Sequence, residues 1–197
     1  MRVVRYGKEH KLETRRRIVE TAGRRFKRDG IDGSGVATLM KDAGLTNGAF
    51  YAHFESKEEL VAAAVSEQLR EQREWLDAIA PGRAGVEQMV REYLSPEHRD
   101  NPEGGCPSAA LLDEITRCAD PTKQAYTDSV LAFIDDIAAR LAPHDPLSAR
   151  TTVLSVYAMM VGTLQLSRAL ADRRLADDLL KQGNRNALTL LDTLPEH

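Results

Sequence analysis

Hydrogen-bonding side chains and small residues are concentrated in residues 45–60, beside two phenylalanines. Phe50 and Phe54 are four residues apart and therefore share one face of a helix. The polar side chains fall elsewhere around that helix, and the small residues between them let its backbone approach a large partner. Hydroxyl, amide, imidazole and ammonium groups reach phosphate oxygens or base edges of nucleic acid. The candidate contact residues are Thr38, Thr46, Asn47, Gly48, Tyr51, Ala52, His53 and Lys57.

Two short helices are needed to hold these residues in place. Residues 34–44 predict a helix that Ser34 caps and Gly44 ends, and a second short helix follows with Thr46 as its cap. A helix, a glycine-containing turn and another helix form a helix-turn-helix unit, whose second helix enters the DNA major groove. The pattern therefore indicates a DNA-binding head.

Within this unit the residue types separate base readers from phosphate holders. Asn47 is expected to pair with adenine, and the Ala52 methyl group to touch a thymine methyl. The helix start, at Thr46 and Gly48, offers free N–H groups to an anion or a base edge. Phosphate contacts are expected from the remaining candidates, which are Thr38, Tyr51, His53 and Lys57.

Residues 14–60 resemble the amino-terminal domain of the TetR family of bacterial transcriptional regulators. The residues that carry the resemblance are Ile18, Ala22, Phe26, Gly30, residues 43–46, Gly48, Phe50, Tyr51, His53, Phe54 and residues 56–60. Met40 departs from the family pattern, which has a small residue between the two helices. The resemblance implies DNA-binding roles for Thr46, Tyr51, His53 and Lys57, and a dimer interface built from the last two helices of each subunit.

The charge distribution suits a phosphate-binding head on a body that does not itself adhere to DNA. Residues 1–57 hold 13 Lys and Arg against 7 Asp and Glu, whereas the whole 197-residue chain carries a net charge of −3. A solvated run of charges is the plainer interpretation of the same excess. Arg2, Arg5 and Lys8 either reach the minor groove as an arm or belong to a disordered terminus.

The rest of the chain predicts an all-α protein. Residues 1–10 are expected to form a flexible basic arm, followed by a first helix over residues 9–28. Ser56 and Glu59 form a capping-box pattern that starts a long helix reaching residue 79. Further helices are expected over residues 85–94, 107–118, 122–141, 153–166 and 175–194, with a loop over residues 95–105. We expect a DNA-binding domain over residues 1–56 and an effector-binding and dimerisation domain over residues 57–197.

The predicted body has a dimer surface and a pocket. The dimer residues are expected on the last two helices, where each is alternatively a simple core residue. The candidates are Val153, Val156, Met160, Gly162, Leu188 and Leu191. The candidate pocket residues are aromatic, apolar or sulfur-containing, and each is alternatively core; they are Trp75, Met89, Tyr93, Cys106, Tyr126, Phe133, Tyr157 and Met159. Cys106 precedes Pro107, which favours a helix start and places the thiol at the positive helix end. It is either a reactive thiol or a small residue beside a pocket.

Other functional classes find little support in the sequence. There is no metal-ligand spacing, no phosphate-binding glycine loop after a strand and no nucleophile elbow, so we expect neither an enzyme nor a cofactor. No signal peptide or membrane span is apparent, and two cysteines suit a reducing cytoplasm. We expect a homodimeric repressor that a small-molecule effector releases from a pseudo-palindromic operator in double-stranded DNA. The alternatives are sensing of electrophiles or oxidants through Cys106 and, more remotely, a related module that binds protein.

Overall fold

Residues 2–194 fold into helices joined by turns and short loops. The computed structural model describes the backbone of residues 2–194 and the side chains of residues 9–194, and no strand occurs in that range. The predicted all-α class is confirmed. The helices are α1 (Arg2–Asp29), α2 (Val36–Asp42), a 3-10 helix (Asn47–Ala52), α3 (Lys57–Ala78), α4 (Gly82–Tyr93), α5 (Pro96–Asp100), α6 (Pro107–Arg117), α7 (Asp120–Leu141), α8 (Pro146–Ala169) and α9 (Arg173–Leu191).

The amino-terminal head packs α1, α2 and the 3-10 helix around one apolar cluster. Its fully buried side chains are Ile18, Ala22, Phe26, Leu39, Met40, Phe50 and Phe54. Met40 is 0% exposed, so the larger side chain is accommodated within the core. Gly30 and Gly44 end α1 and α2 with φ of 82° and 69°, in the left-handed region that glycine adopts without strain.

The long helix α3 joins the head to the body. Ser56 caps it as predicted, since its Oγ accepts the Glu59 N–H at 3.2 Å, and the Glu59 carboxylate in turn accepts the Glu55 N–H at 2.8 Å. With 22 residues α3 is roughly 33 Å long. It packs against α1 in the head and against α7 in the body.

The body is a bundle of the remaining helices. Helix α7 lies between α3 and α8, and α9 packs along α8. Its core contains large residues that are almost fully buried, among them Leu76, Val90, Ile134, Leu164 and Leu180. None of the helices in residues 2–194 is long and apolar enough to span a membrane.

Three local predictions for the head are wrong. Helix α1 begins at Arg2, so the residues expected to form a flexible arm are helical; no proline interrupts them, and helical propagation adds one hydrogen bond per residue. Gly35, not Ser34, is the cap residue of α2, because the Ser34 hydroxyl donates to the Gly30 carbonyl at 2.7 Å. Thr46 precedes the 3-10 helix without capping it through its side chain.

The predicted loop over residues 95–105 contains a short helix, α5. Ser95 caps this helix by accepting the His98 N–H at 3.2 Å, and Pro96 occupies its first turn. Serine followed by proline is a helix-start signal that the sequence interpretation passed over.

Candidate nucleic-acid interface and ligand cavity

The 3-10 helix presents one buried and one exposed face. Phe50 and Phe54 are 1% and 2% exposed, and their rings stack with centroids 5.7 Å apart. Tyr51 meets the Phe50 ring edge-on at 5.3 Å yet remains 73% exposed. The phenylalanines therefore fix the helix to the head while a phenol stands on the surface beside them.

Most of the predicted DNA-contacting residues lie on this exposed surface. The residues Thr38, Thr46, Asn47, Gly48, Tyr51 and Ala52 are all exposed. A methyl group added at Gly48 would meet nothing within 4 Å, so the backbone is open to a partner there. The surface is therefore accessible to a partner, and the individual DNA contacts remain predictions.

His53 and Lys57 are half-buried at the edge of this surface. Burial lowers the pKa of His53, which favours the neutral imidazole at pH 7, and its buried Nδ1 has no hydrogen-bond partner in residues 9–194. The Lys57 ammonium donates to the Ile31 carbonyl at 2.5 Å. An ammonium has three N–H donors, so this bond leaves two for a phosphate.

Arg15 is a neighbour of the interface that the sequence interpretation missed. Its guanidinium lies over the Phe54 ring, 4.5 Å from the centroid, and is 3.3 Å from the Glu59 carboxylate. Arg15 thereby links α1, the Phe54 side chain just after the 3-10 helix, and α3. Its position three residues before Ile18, whose side chain is in the core, was the available signal, because residues three apart share a helix face.

A cavity of about 750 Å³ lies in the body between α1, α3, α4, α5 and α7. Five of the predicted pocket residues line it, namely Trp75, Met89, Tyr93, Cys106 and Phe133. Lining residues that the sequence interpretation missed include Lys27, Gln68, Gln72 and His98. The cavity therefore combines an apolar wall with a polar one, as ligand sites in proteins generally do.

The other three predicted pocket residues lie outside the cavity lining. The Tyr157 hydroxyl is 3.4 Å from the Cys106 Sγ and 2.8 Å from the Ser108 Oγ, and the Tyr126 hydroxyl donates to the same serine at 2.9 Å. These groups form a buried hydroxyl cluster behind Cys106, because α7 and α8 turn both phenols toward the start of α6. Met159 is half-buried and packs against the core.

His98 fastens the start of α6 to the end of α4. Its Nε2 accepts the Cys106 N–H at 3.0 Å, so its Nδ1 carries the hydrogen and donates to the Tyr93 carbonyl at 2.8 Å. Burial lowers the pKa of His98, which is consistent with this neutral tautomer. The His98 ring also meets the Tyr93 ring edge-on at 4.6 Å.

Gly105→Ala tests this arrangement. A Cβ at residue 105 would stand 2.4 Å from the His98 Nε2, the atom that accepts the Cys106 N–H. The variant is expected to lose about 1–3 kcal/mol of unfolding free energy, because the imidazole must move and leave a buried N–H unpaired. Denaturant titration measures the loss. Gly48→Ala, whose new methyl meets open space, is the control, and equal stability of the two variants would contradict the assignment.

Two contacts connect the cavity region to the head. The Lys27 ammonium, on α1, donates to the Gly105 carbonyl at 2.8 Å, and its burial lowers the pKa of Lys27 to about 8. On α6, one Glu114 carboxylate oxygen accepts the N–H groups of Ile31 and Asp32 at 2.9 and 3.2 Å. The turn between α1 and α2 is thus bonded directly to the helix that starts at the cavity.

The predicted dimer residues need correction. The side chains of Val153, Val156, Met160 and Leu191 are 1–3% exposed within one subunit, because this face of the last two helices covers the bundle core. Leu188 is half-buried against the same core. Gly162 is exposed, and its neighbours on the outward face of α8 are a different set, which includes Leu154, Ala158 and Leu166.

Known proteins resemble this chain in its amino-terminal part and in its fold. Residues 18–64 match the family model described as bacterial regulatory proteins, tetR family. The HTH-type transcriptional regulator TtgR of Pseudomonas putida is 44% identical over 61 residues, which are 31% of this chain and 29% of that protein. The chain thus matches less than a third of the length of this relative.

Solved structures extend the likeness to the whole fold. Reduced NemR of E. coli has a TM-score of 0.72 at 16% identity, and the alignment covers 90% of this chain and 96% of that one. A TetR-family regulator of Cytophaga hutchinsonii has a TM-score of 0.72 at 20% identity, over 94% of this chain and 96% of that one.

A helix-turn-helix head joined by one long helix to an all-helical body is the fold that this chain shares with these solved structures. Residues 18–64 match the TetR-family model, and the fold resembles that of TetR-family regulators, as the resemblance of residues 14–60 predicted.

Proposed function

We propose that the chain is a homodimeric repressor whose affinity for a pseudo-palindromic operator falls when a small molecule fills the cavity in the body. One observation carries the proposal: the helix that starts at the cavity, α6, also holds the turn of the DNA-binding head through Glu114. A ligand that shifts α6 therefore acts on the head. A preference of a few kcal/mol for the shifted state is enough to free the operator.

The proposed division of labour follows the helices. The DNA-binding domain covers residues 1–56 and the ligand-binding and dimerisation domain covers residues 57–197, since α3 begins at Lys57. Regulator and operator meet in the cytoplasm. The exposed side of the 3-10 helix supplies the major-groove surface, and the basic excess of residues 1–57 supplies attraction to phosphates.

The homodimer is proposed to form through the outward face of α8. One head makes too few contacts for a tight site, so two heads related by a two-fold axis are needed. On this face Leu154 and Leu166 are 44% and 53% exposed, with Ala158 and Gly162 between them at helical spacing. A Cβ at Gly162 would meet nothing within 4 Å, which leaves room for close approach of a second helix.

Ala158→Arg is expected to convert the dimer to a monomer, because a charged side chain would stand in the centre of that apolar face. Operator affinity should fall by roughly 100-fold or more, since the two heads are no longer held together in one dimer. Sedimentation and titration of operator DNA measure both effects. Thr127→Arg, on the exposed side of α7, is the matched control, and a dimeric Ala158→Arg protein would contradict the proposed interface.

Ligand response is tested with the chain's single tryptophan, Trp75, which lines the cavity. Compounds that fill the cavity should change its fluorescence and release a labelled operator over the same concentration range. Trp75→Phe removes the fluorescence change and keeps the release. A compound that saturates the cavity and leaves operator affinity unchanged would contradict the proposed coupling.

Covalent sensing is the second candidate function, and the position of Cys106 in the cavity lining favours it. The Cys106 thiol would add across a ring C=C bond of a quinone in the cavity. Its sulfur would bond to a ring carbon and its proton would pass to a quinone oxygen, so no leaving group is needed. Cys106→Ser separates the candidates. A response that persists in this variant indicates reversible binding. A response that is lost, in a variant whose mass shows no quinone adduct, indicates addition to the Cys106 thiol.

A further inference from the structure

Three buried polar atoms at the cavity have no hydrogen-bond partner within residues 9–194. They are the Gln68 Oε1, the Gln72 Oε1 and the Tyr93 hydroxyl, and all three residues line the same cavity. Gln68 is only 6% exposed. Buried polar atoms are nearly always paired, so their joint occurrence at one cavity indicates that its occupant supplies the missing partners.

The two glutamines define the polar wall of the cavity. Gln68 and Gln72 are four residues apart on α3 and therefore lie one above the other on the same helix face. An amide carbonyl accepts hydrogen bonds, so each oxygen requires a donor on the ligand. The pKa of Tyr93 is raised well above its ordinary value by burial, so its phenol stays protonated and can donate in turn.

The opposite wall and the surrounding charges limit the ligand further. Trp75, Met89 and Phe133 offer apolar surface that suits a ring system. The lining also carries Lys27 and Arg91 together with three carboxylates, from Glu71, Glu92 and Glu97. The Lys27 ammonium is bonded to the Gly105 carbonyl, and the three carboxylates outnumber the two cations of the lining, which disfavours an anionic ligand.

We propose that the cavity selects neutral ring compounds that carry two or more hydroxyl groups. Hydroxyls donate to Gln68 and Gln72 and accept from Tyr93, and the ring packs on the apolar wall. This inference rests on the proposed ligand-responsive function and specifies the class of its effector.

Gln68 also gives such a ligand a direct route to the head. Its side chain packs so closely on α1 that a Cβ at Gly23 would stand 2.3 Å from the Gln68 Nε2. A ligand that binds the carbonyl oxygen of this amide therefore acts at the crossing of α1 and α3. The same amide group recognises the ligand and contacts the first helix of the DNA-binding domain.

Calorimetry with a matched pair of probes tests the proposal on the full-length chain. The probes are 2,7-dihydroxynaphthalene and 2,7-dimethoxynaphthalene, which share a ring system and differ in hydrogen-bond donors. The diol is expected to bind at least about tenfold more tightly than the ether. Gln68→Leu and Gln72→Leu should each weaken diol binding roughly five- to tenfold and leave ether binding within about twofold. Gln124→Leu, at an exposed glutamine of α7, should change neither.

The possible outcomes separate this inference from the proposed function. Equal affinity for diol and ether, no binding of the diol, or a diol affinity that is unchanged in both glutamine variants would overturn the hydroxyl selectivity. Diol binding that depends on the glutamines but leaves operator affinity unchanged would support the ligand class and overturn the proposed function.

Discussion

Replacing Asn47 by alanine is expected to relax base preference at one or two operator positions by about 1–3 kcal/mol each. Asn47 is the first residue of the 3-10 helix, is exposed, and has a side-chain amide that can donate to and accept from adenine at once. Its loss removes base discrimination while the surrounding contact surface stays in place. Competition among operator duplexes that differ at single base pairs measures the change.

Tyr51→Phe is the matched control for this prediction. Tyr51 lies on the same short helix and is 73% exposed, and its hydroxyl is proposed to hold a phosphate. Because phosphate contacts carry no sequence information, this variant should weaken binding to all duplexes alike. Unchanged base preferences in Asn47→Ala would show that Asn47 is not a base reader.

Replacing Glu114 by alanine is expected to disconnect ligand binding from DNA release. Its carboxylate holds two backbone N–H groups of the turn that joins α1 to α2, and hydrogen bonds to a charged group contribute about 1.5–3 kcal/mol. Without these hydrogen bonds, movement of α6 is no longer transmitted to the head. The ratio of operator affinities without and with ligand should therefore fall toward one, while ligand affinity measured by Trp75 fluorescence in the absence of DNA remains within a few-fold.

Asp113→Ala controls for charge and helix position. Asp113 neighbours Glu114 on α6, and its side chain is 84% exposed where it pairs with Arg117. Exposed pairs of this kind contribute little, so the ligand response of this variant should match that of the original chain. A full ligand response in Glu114→Ala would place the coupling elsewhere.

Much of the head could be predicted because its signals are local. The spacing of Phe50 and Phe54, the glycines at 30 and 44 and the capping residue Ser56 each determine structure within a few residues, and each is found as expected. The start of α1 was missed because residues 2–8 carry no local signal, such as a proline or a capping residue, that marks where the helix begins.

The proposed dimer face could not be read from the sequence. Residues 153–166 are apolar nearly all round, so periodicity does not say which side faces the core. Packing of α8 on α7 and α9 buries Val153, Val156 and Met160 and leaves Leu154 and Leu166 outside.

The polar wall of the cavity was missed for a related reason. A glutamine on an amphipathic helix is usually solvated, and only the tertiary arrangement shows that Gln68 is buried beside Gly23. Tyr126 and Tyr157 were expected at the cavity and instead bond to Ser108 behind it, because a tyrosine's direction depends on how three helices cross.

Selection of bound sequences from random duplex DNA with the purified full-length chain tests the central claim most directly. We expect a pseudo-palindrome whose half-sites are about 34–36 Å apart, one turn of the double helix. Affinity for this sequence should fall steeply with added salt, because phosphate contacts release counterions. Recovery of no sequence motif at low salt would contradict the claim that the chain is a sequence-specific DNA-binding regulator.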